Sequence, residues 1–189
     1  RARHYLTISG EPKYFTYFEL DDPTVVASKA YLEQANSSSP WTEKILPHFR
    51  NVNRTGGQVV RRLGKGFGAA AMTMRLTMRD IKDPALMTYL GTEILPAIIE
   101  RPGIISAQLW TADQEATLQP VKDRDLRPQQ DAVSDLVIFI EGTTAASLQT
   151  LATKMPSTEA FMDAGAAAPP LTAIHQLLNG AEQDEAPPI

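Results

Sequence analysis

Residues 70–78 read Ala-Ala-Met-Thr-Met-Arg-Leu-Thr-Met, and this alternation constrains the fold more than any other feature. Successive side chains on a strand point to opposite faces. Met72, Met74, Leu76 and Met78 therefore share one face, and Thr73, Arg75 and Thr77 the other. A strand so one-sided belongs to a sheet whose apolar side is covered. The next segment supplies the cover. Asp83-Pro84 opens a helix carrying Leu86, Met87, Leu90, Ile94, Leu95, Ile98 and Ile99; Pro96 is placed to kink or shorten it, and Pro102-Gly103 closes it. Strand 104–111, a polar stretch over 112–134, strand 136–141, helix 145–154 and strand 171–178 complete the order β-α-β-β-α-β. That is the split βαβ or ferredoxin-like pattern. The 112–134 stretch is long enough for a lid or a disordered excursion.

The preceding part reads β-β-α-β. Residues 3–8 and 14–20 are rich in aromatic and β-branched residues and are separated by Ser9-Gly10-Glu11-Pro12, a hairpin signal. Asp21-Asp22-Pro23 opens a helix with Val25, Val26, Ala30, Tyr31 and Leu32, and Ser37-Ser38-Ser39-Pro40 ends it. Beyond Trp41 and Pro47, residues 49–63 are predicted to be extended, with a break at Gly56-Gly57. Gly64-Lys65-Gly66-Phe67-Gly68 lacks the spacing of a phosphate loop and reads as a connector.

The two parts correspond internally. Arg1-Ala2-Arg3-His4-Tyr5 matches Ser106-Ala107-Gln108-Leu109-Trp110, Tyr17-Phe18-Glu19 matches Phe139-Ile140-Glu141, and Pro40-Trp41-Thr42-Glu43 matches Pro156-Ser157-Thr158-Glu159. Three matches in one order predict two tandem repeats. They cover 1–63 and 69–180, are linked by 64–68, and are followed by a disordered tail over 181–189. The first repeat lacks its opening β-α unit. The expectation is that upstream residues, or a separate N-terminal segment, supply that strand, because its absence leaves backbone groups unpaired.

Composition narrows the function classes. The 189 residues include no cysteine, which removes disulfides, thiolate metal sites and cysteine nucleophiles. That suits a cytoplasmic protein. A net charge of −4, with basic residues clustered only at Arg61-Arg62 and around Arg50 and Arg54, argues against a nucleic-acid partner. No apolar run reaches the roughly 20 residues of a membrane span, so no membrane partner is expected. No histidine pair has i, i+4 spacing and no metal or cofactor constellation is visible.

With Arg3-His4-Tyr5, Lys13 through Leu20, Pro40-Trp41-Thr42 and Pro47-His48-Phe49 in view, the chain resembles the dimeric α+β barrel superfamily, its first repeat the EthD-like branch. The resemblance implies an α+β fold in which four-stranded sheets, from two subunits or two fused repeats, pack into a barrel. It also implies a range of activities: lactone isomerases, cyclases, dehydratases, cofactor-free monooxygenases and haem-binding enzymes. A homodimer is expected as well, because such sheets leave edges that self-association can cover.

The polar side of such sheets faces the barrel interior. Thr73, Arg75, Gln108 and Trp110, and by the repeat match Arg3 and Tyr5, then form a cleft suited to a planar anionic or aromatic molecule. Two alternatives stand: the arginines bind a ligand carboxylate, or they pair with Glu19 or Glu141 in a structural network. His4 matches Leu109 and should face the helices, whereas the face of His175 is not fixed by alternation. The resemblance places His48 at the cleft, as a general base or acid or else as a turn histidine bonded to the backbone. The leading expectation is a cofactor-independent lyase or isomerase acting on a small aromatic or lactone-like acid, with His48 and Arg75 catalytic. The alternatives are a non-enzymatic binding or assembly protein and a monooxygenase with or without haem.

Overall fold

A computed structural model of the chain describes residues 1–113, 117 and 121–181. Among them β1 (Ala2–Ser9), β2 (Tyr14–Phe18), β3 (Gly57–Gly64), β4 (Ala70–Leu76), β5 (Ile104–Ala112), β6 (Leu136–Gly142) and β7 (Leu171–Ala181) form one sheet in the order β2-β1-β7-β4-β6-β5-β3. Every pairing is antiparallel. The four strands of the second part sit together as β7-β4-β6-β5, the arrangement of a split βαβ unit. The first part adds to its two ends, β1 on β7 and β3 on β5. The two parts thus join edge to edge in a single sheet.

That sheet curls. Arg62 on β3 lies 3.5 Å from Glu19, one residue past β2, so the two outermost strands approach within one arginine–glutamate pair. The result is an α+β half-barrel with a convex and a concave face.

The convex core follows from the alternation of β4. Met72, Met74 and Leu76 are buried with Leu109, Ile138 and Ile140 beneath Leu86, Leu90, Leu95 and Ile98. These last four come from α3 (Ala85–Tyr89), a π turn (Leu90–Ile94) and α4 (Leu95–Ile99). Pro96 has no N–H for the regular ladder, and the widened turn directly before it absorbs that defect. On the same face α6 (Ala145–Ala152) buries Leu148 and Leu151, and α7 (Thr158–Asp163), which the sequence reading did not anticipate, buries Phe161.

The first part departs from expectation. The acidic cap does form, with Asp22 Oδ1 accepting from Thr24 N–H at 2.7 Å, but it starts a short 3-10 turn (Pro23–Ala27). α1 (Lys29–Asn36) follows on a new cap, Ser28. Neither α1 nor α2 (Pro40–Ile45) contains a buried residue. Of the span 49–63, only the part from Gly57 is strand. Residues 52–54 instead bond to the 132 region, where Arg54 N–H donates to the Ala132 carbonyl at 2.9 Å and Ala132 N–H to that of Val52 at 2.8 Å. The described part of 112–134 is therefore tied down rather than a free excursion. It holds the short helix α5 (Lys122–Asp125), and the Thr117 hydroxyl bonds the Gly56 backbone. The tail expected over 181–189 falls outside the described residues except for Ala181, which ends β7.

Candidate functional site on the concave face

Register decides which residues face inward. Opposite partners in an antiparallel pair share a face. Starting from Thr73 and Arg75 on β4, the pairings carry the concave face to Ala173 and His175 on β7, Tyr5 and Thr7 on β1, and Phe15 on β2. In the other direction they reach Val137, Phe139 and Glu141 on β6 and Ser106, Gln108 and Trp110 on β5. Arg3, Tyr5, Thr73, Arg75, Gln108 and Trp110, the binding residues expected from sequence, thus lie on one face. His48 does not join them. It sits exposed on the one-turn helix Leu46–His48, and no contact of its side chain with this set occurs among the described residues. His4 points to the convex side as expected, but no helix covers it there. It is exposed, bonded to the Thr16 hydroxyl at 3.2 Å and edge-on to Phe18.

The centre of the face is filled by rings. Trp110 stacks on Tyr17 and Phe139 with centroids 4.9 and 5.1 Å apart, and Phe15 bridges Phe139 to His175 at 5.9 and 4.9 Å. Such pairs contribute about 0.5–1.5 kcal/mol each beyond area burial. This centre is therefore a second core and leaves chemistry to its two ends.

At one end lies an ion-pair network. Glu141 is wholly buried and accepts from Arg3 at 2.7 Å, from the Gly68 N–H at 3.2 Å and from the Ser106 hydroxyl at 3.1 Å. Arg3 also reaches Glu19 at 3.5 Å and lies over the rings of Phe67 and Tyr17. Burial, the largest single influence, lowers the Arg3 pKa, but Glu141 together with Tyr5 and Tyr17 more than offsets it and the net direction is upward. Burial, with Glu19 nearby, pushes Tyr17 up to about 12. Of the two alternatives for the arginines, Arg3 follows the structural one. The sequence offered Glu19 and Glu141 as partners for either inward arginine, and the structure gives both to Arg3.

At the other end Arg75 follows neither Glu19 nor Glu141. Its guanidinium donates to the Glu11 backbone carbonyl at 2.7 Å, its Nε is buried without a partner, and no carboxylate stands within ion-pair distance among the described residues. Burial lowers its pKa, partly offset by Glu11. Beside it His175 is 1% exposed. Its Nδ1 is 2.8 Å from the Thr7 hydroxyl and its Nε2 3.0 Å from that of Thr73. The Thr7 hydroxyl donates to the Pro12 carbonyl, so Nδ1–H must donate to Thr7 and Nε2 must accept from Thr73. Burial, reinforced by Arg75, lowers the His175 pKa to about 4, so this imidazole is neutral at pH 7. Phe15, half-buried and stacked on His175, and Leu171, exposed opposite Arg75, flank this end. Two further buried polar groups on the concave face, the Tyr5 hydroxyl and Gln108 Nε2, have no hydrogen-bond partner at bonding geometry.

No family model matches the sequence, and no curated protein matches it. Solved structures do. An anthrone oxidase-like protein aligns with a TM-score of 0.55 at 12% identity, over 94% of this chain and 77% of its own. A haem-degrading enzyme from Listeria monocytogenes aligns at 0.41 and 13% identity, over 92% and 99%. A ferredoxin-fold protein related to antibiotic biosynthesis monooxygenases, also from Listeria monocytogenes, aligns at 0.43 and 13%, over 95% and 97%. At this identity the first likeness shows a shared fold and nothing about activity; the ferredoxin-like order of the sheet rests on β7-β4-β6-β5 itself.

A haem bound on this face would need an axial ligand. His175 is the one inward histidine among the described residues and both its ring nitrogens are engaged by threonines. That set does not fit axial ligation. Among the described residues no group of three or more His, Asp or Glu could hold a metal ion either.

Proposed function

We propose that the chain binds a small planar organic acid at the Arg75 end of the concave face and carries out proton-transfer chemistry there, as a cofactor-independent lyase or isomerase. The observation that carries this reading is the contrast between the two inward arginines. Arg3 is held by two carboxylates, whereas Arg75 offers a half-buried guanidinium whose Nε lacks a partner and whose charge meets no carboxylate at ion-pair distance among the described residues. A ligand carboxylate would receive charge-assisted hydrogen bonds from Arg75, and its ring would lie against Phe15. The role that the sequence suggested for His48 passes to the Thr73–His175–Thr7 chain. The Thr73 hydroxyl takes a proton from the bound acid as it passes its own to His175 Nε2, and the imidazolium so formed, held through Nδ1–H by Thr7, returns that proton by the same route to the product.

Calorimetry with 2-naphthoate tests the binding part. The parent should bind, and Arg75→Met should weaken binding about 10- to 100-fold, the equivalent of roughly 1.5–3 kcal/mol for a lost charged hydrogen bond. Equal binding by both would refute the site. His175→Gln should lose solvent-deuterium exchange into a substrate acid while His48→Ala retains it; the reverse pattern would return the role to His48. A second reading is oxidation of an aromatic substrate on the same ring-lined surface, suggested by the name of the anthrone oxidase-like neighbour. Oxygen uptake without deuterium exchange would favour it.

A further inference from the structure

Arg75 is covered as well as unpartnered. Its Nε is buried, so an acid cannot reach that N–H while the surrounding backbone stays as it is. Its Nη2 is already taken by the Glu11 carbonyl at 2.7 Å. A carboxylate grips a guanidinium through two parallel N–H···O bonds, and Nε with Nη2 forms such a fork. One prong is therefore occupied by a single carbonyl oxygen and the other is closed to solvent.

One segment makes both contacts with the proposed site: residues 10–13, the turn between β1 and β2. Glu11 takes Nη2 of Arg75, and the next carbonyl, that of Pro12, accepts from the Thr7 hydroxyl. The turn lies directly on β7. A Cβ on Gly10 would stand 2.4 Å from the Thr172 carbonyl oxygen and 2.9 Å from Ala173 Cα, and the Gly10 φ of +84° is one that glycine adopts without strain. Thr172 follows Leu171, the residue paired with Arg75. Little apolar surface holds the turn down, however. Gly10, Glu11 and Lys13 are exposed and Pro12 is half-buried, the condition under which a segment opens locally at low cost.

We infer that this turn is a strap over the Arg75 end, which opens to admit the acid and competes with it while closed. The inference rests on the anion site proposed above and adds its regulation. The internal competitor is the backbone carbonyl of Glu11. It is a neutral acceptor on one prong, and a carboxylate displaces it by filling both prongs with charge-assisted bonds. The Glu11 carboxylate itself is exposed and outside ion-pair distance of Arg75. Because only the open state binds, the apparent affinity of every ligand of this site is reduced by one common factor, the fraction open.

The test loosens the strap in two ways: Gly10→Ala, whose methyl group collides with β7, and insertion of two glycines between Glu11 and Pro12, which adds no collision and serves if the first variant fails to fold. In the free protein the Arg75 Nε–H should exchange with solvent about tenfold faster, or more, in either variant, with that of Arg3 unchanged. Calorimetry should show 2-naphthoate and its uncharged isostere 2-naphthamide both binding about three- to tenfold more tightly to the loosened proteins, by the same factor. Glu11→Gln, which keeps the carbonyl, should move neither affinity by more than about twofold. Unchanged Arg75 exchange in both variants would overturn the strap, as would affinities that loosening leaves unchanged. Tightening of the acid alone, or tightening by Glu11→Gln, would overturn it too, because the competitor would then be the carboxylate. If neither ligand binds any of these proteins while Arg75 exchange is accelerated, the anion site falls and the strap stands as the cover of Arg75.

Discussion

Acid should destabilise this protein through one residue before its carboxylates begin to protonate. His175 is neutral in the folded state, with its pKa moved by burial from 6.5 to about 4, and its nitrogens are held by Thr7 and Thr73. In the unfolded chain it takes up a proton below about pH 6.5, so between that value and about pH 4 the unfolded state binds more protons and acid favours it. The linked stability is fully present above pH 6.5 and lost as the pH falls; below about pH 4 both states are protonated and the dependence ends. At 1.36 kcal/mol for each tenfold, the total is about 3 kcal/mol, of which about 2.5 kcal/mol is lost between pH 7 and pH 4.5. Urea unfolding across that range, with His175→Gln alongside, measures it. The parent should lose stability along this curve while the variant stays nearly flat. Parallel curves for the two proteins, or an imidazole resonance of His175 titrating near pH 6.5, would refute the reasoning.

Other changes should sort by end of the concave face. Glu141→Leu leaves Arg3 buried without its main partner and should cost about 3–5 kcal/mol by chemical denaturation, with Arg3→Met similar and the double change costing less than the sum. Arg75→Met should change the stability of the free protein by less than about 1 kcal/mol, since its loss leaves no carboxylate stranded. Phe139→Ala, opening a hole at the junction of Tyr5, Phe15, Tyr17 and Trp110, should cost about 3–5 kcal/mol. Light scattering should show self-association of the chain at high concentration, driven by the bare convex side of β1 and β2, and its loss in Phe18→Lys.

The strands that could be read from sequence are those with one apolar and one polar face. β4 is the clearest: Met72 and Met74 against Thr73 and Arg75 placed the convex core and the inward set together. His175 was undecidable for a physical reason. On β7 Ala173 and Leu177 face the inner rings while Ile174 faces the helices, so both faces carry apolar residues and alternation vanishes. The inner face is itself a core, and no periodicity announces that. The span 49–63 misled for the opposite reason: its β-rich composition holds for β3, but residues 52–54 find their partners in the 132 region far along the chain. Pairing of Arg3 with Glu141, 138 residues apart, rests on strand order, which composition does not encode.

The two guanidinium groups give the most direct test of the functional reading. In a protein labelled at the arginine Nε positions, 2-naphthoate should shift the Nε–H resonance of Arg75, whose Nε now has no partner, and leave that of Arg3, held by Glu141 and Glu19, in place. A saturable shift at Arg75 alone is the expected result. A shift at Arg3 with none at Arg75, or no shift at either while the acid binds, would contradict an anion site at Arg75.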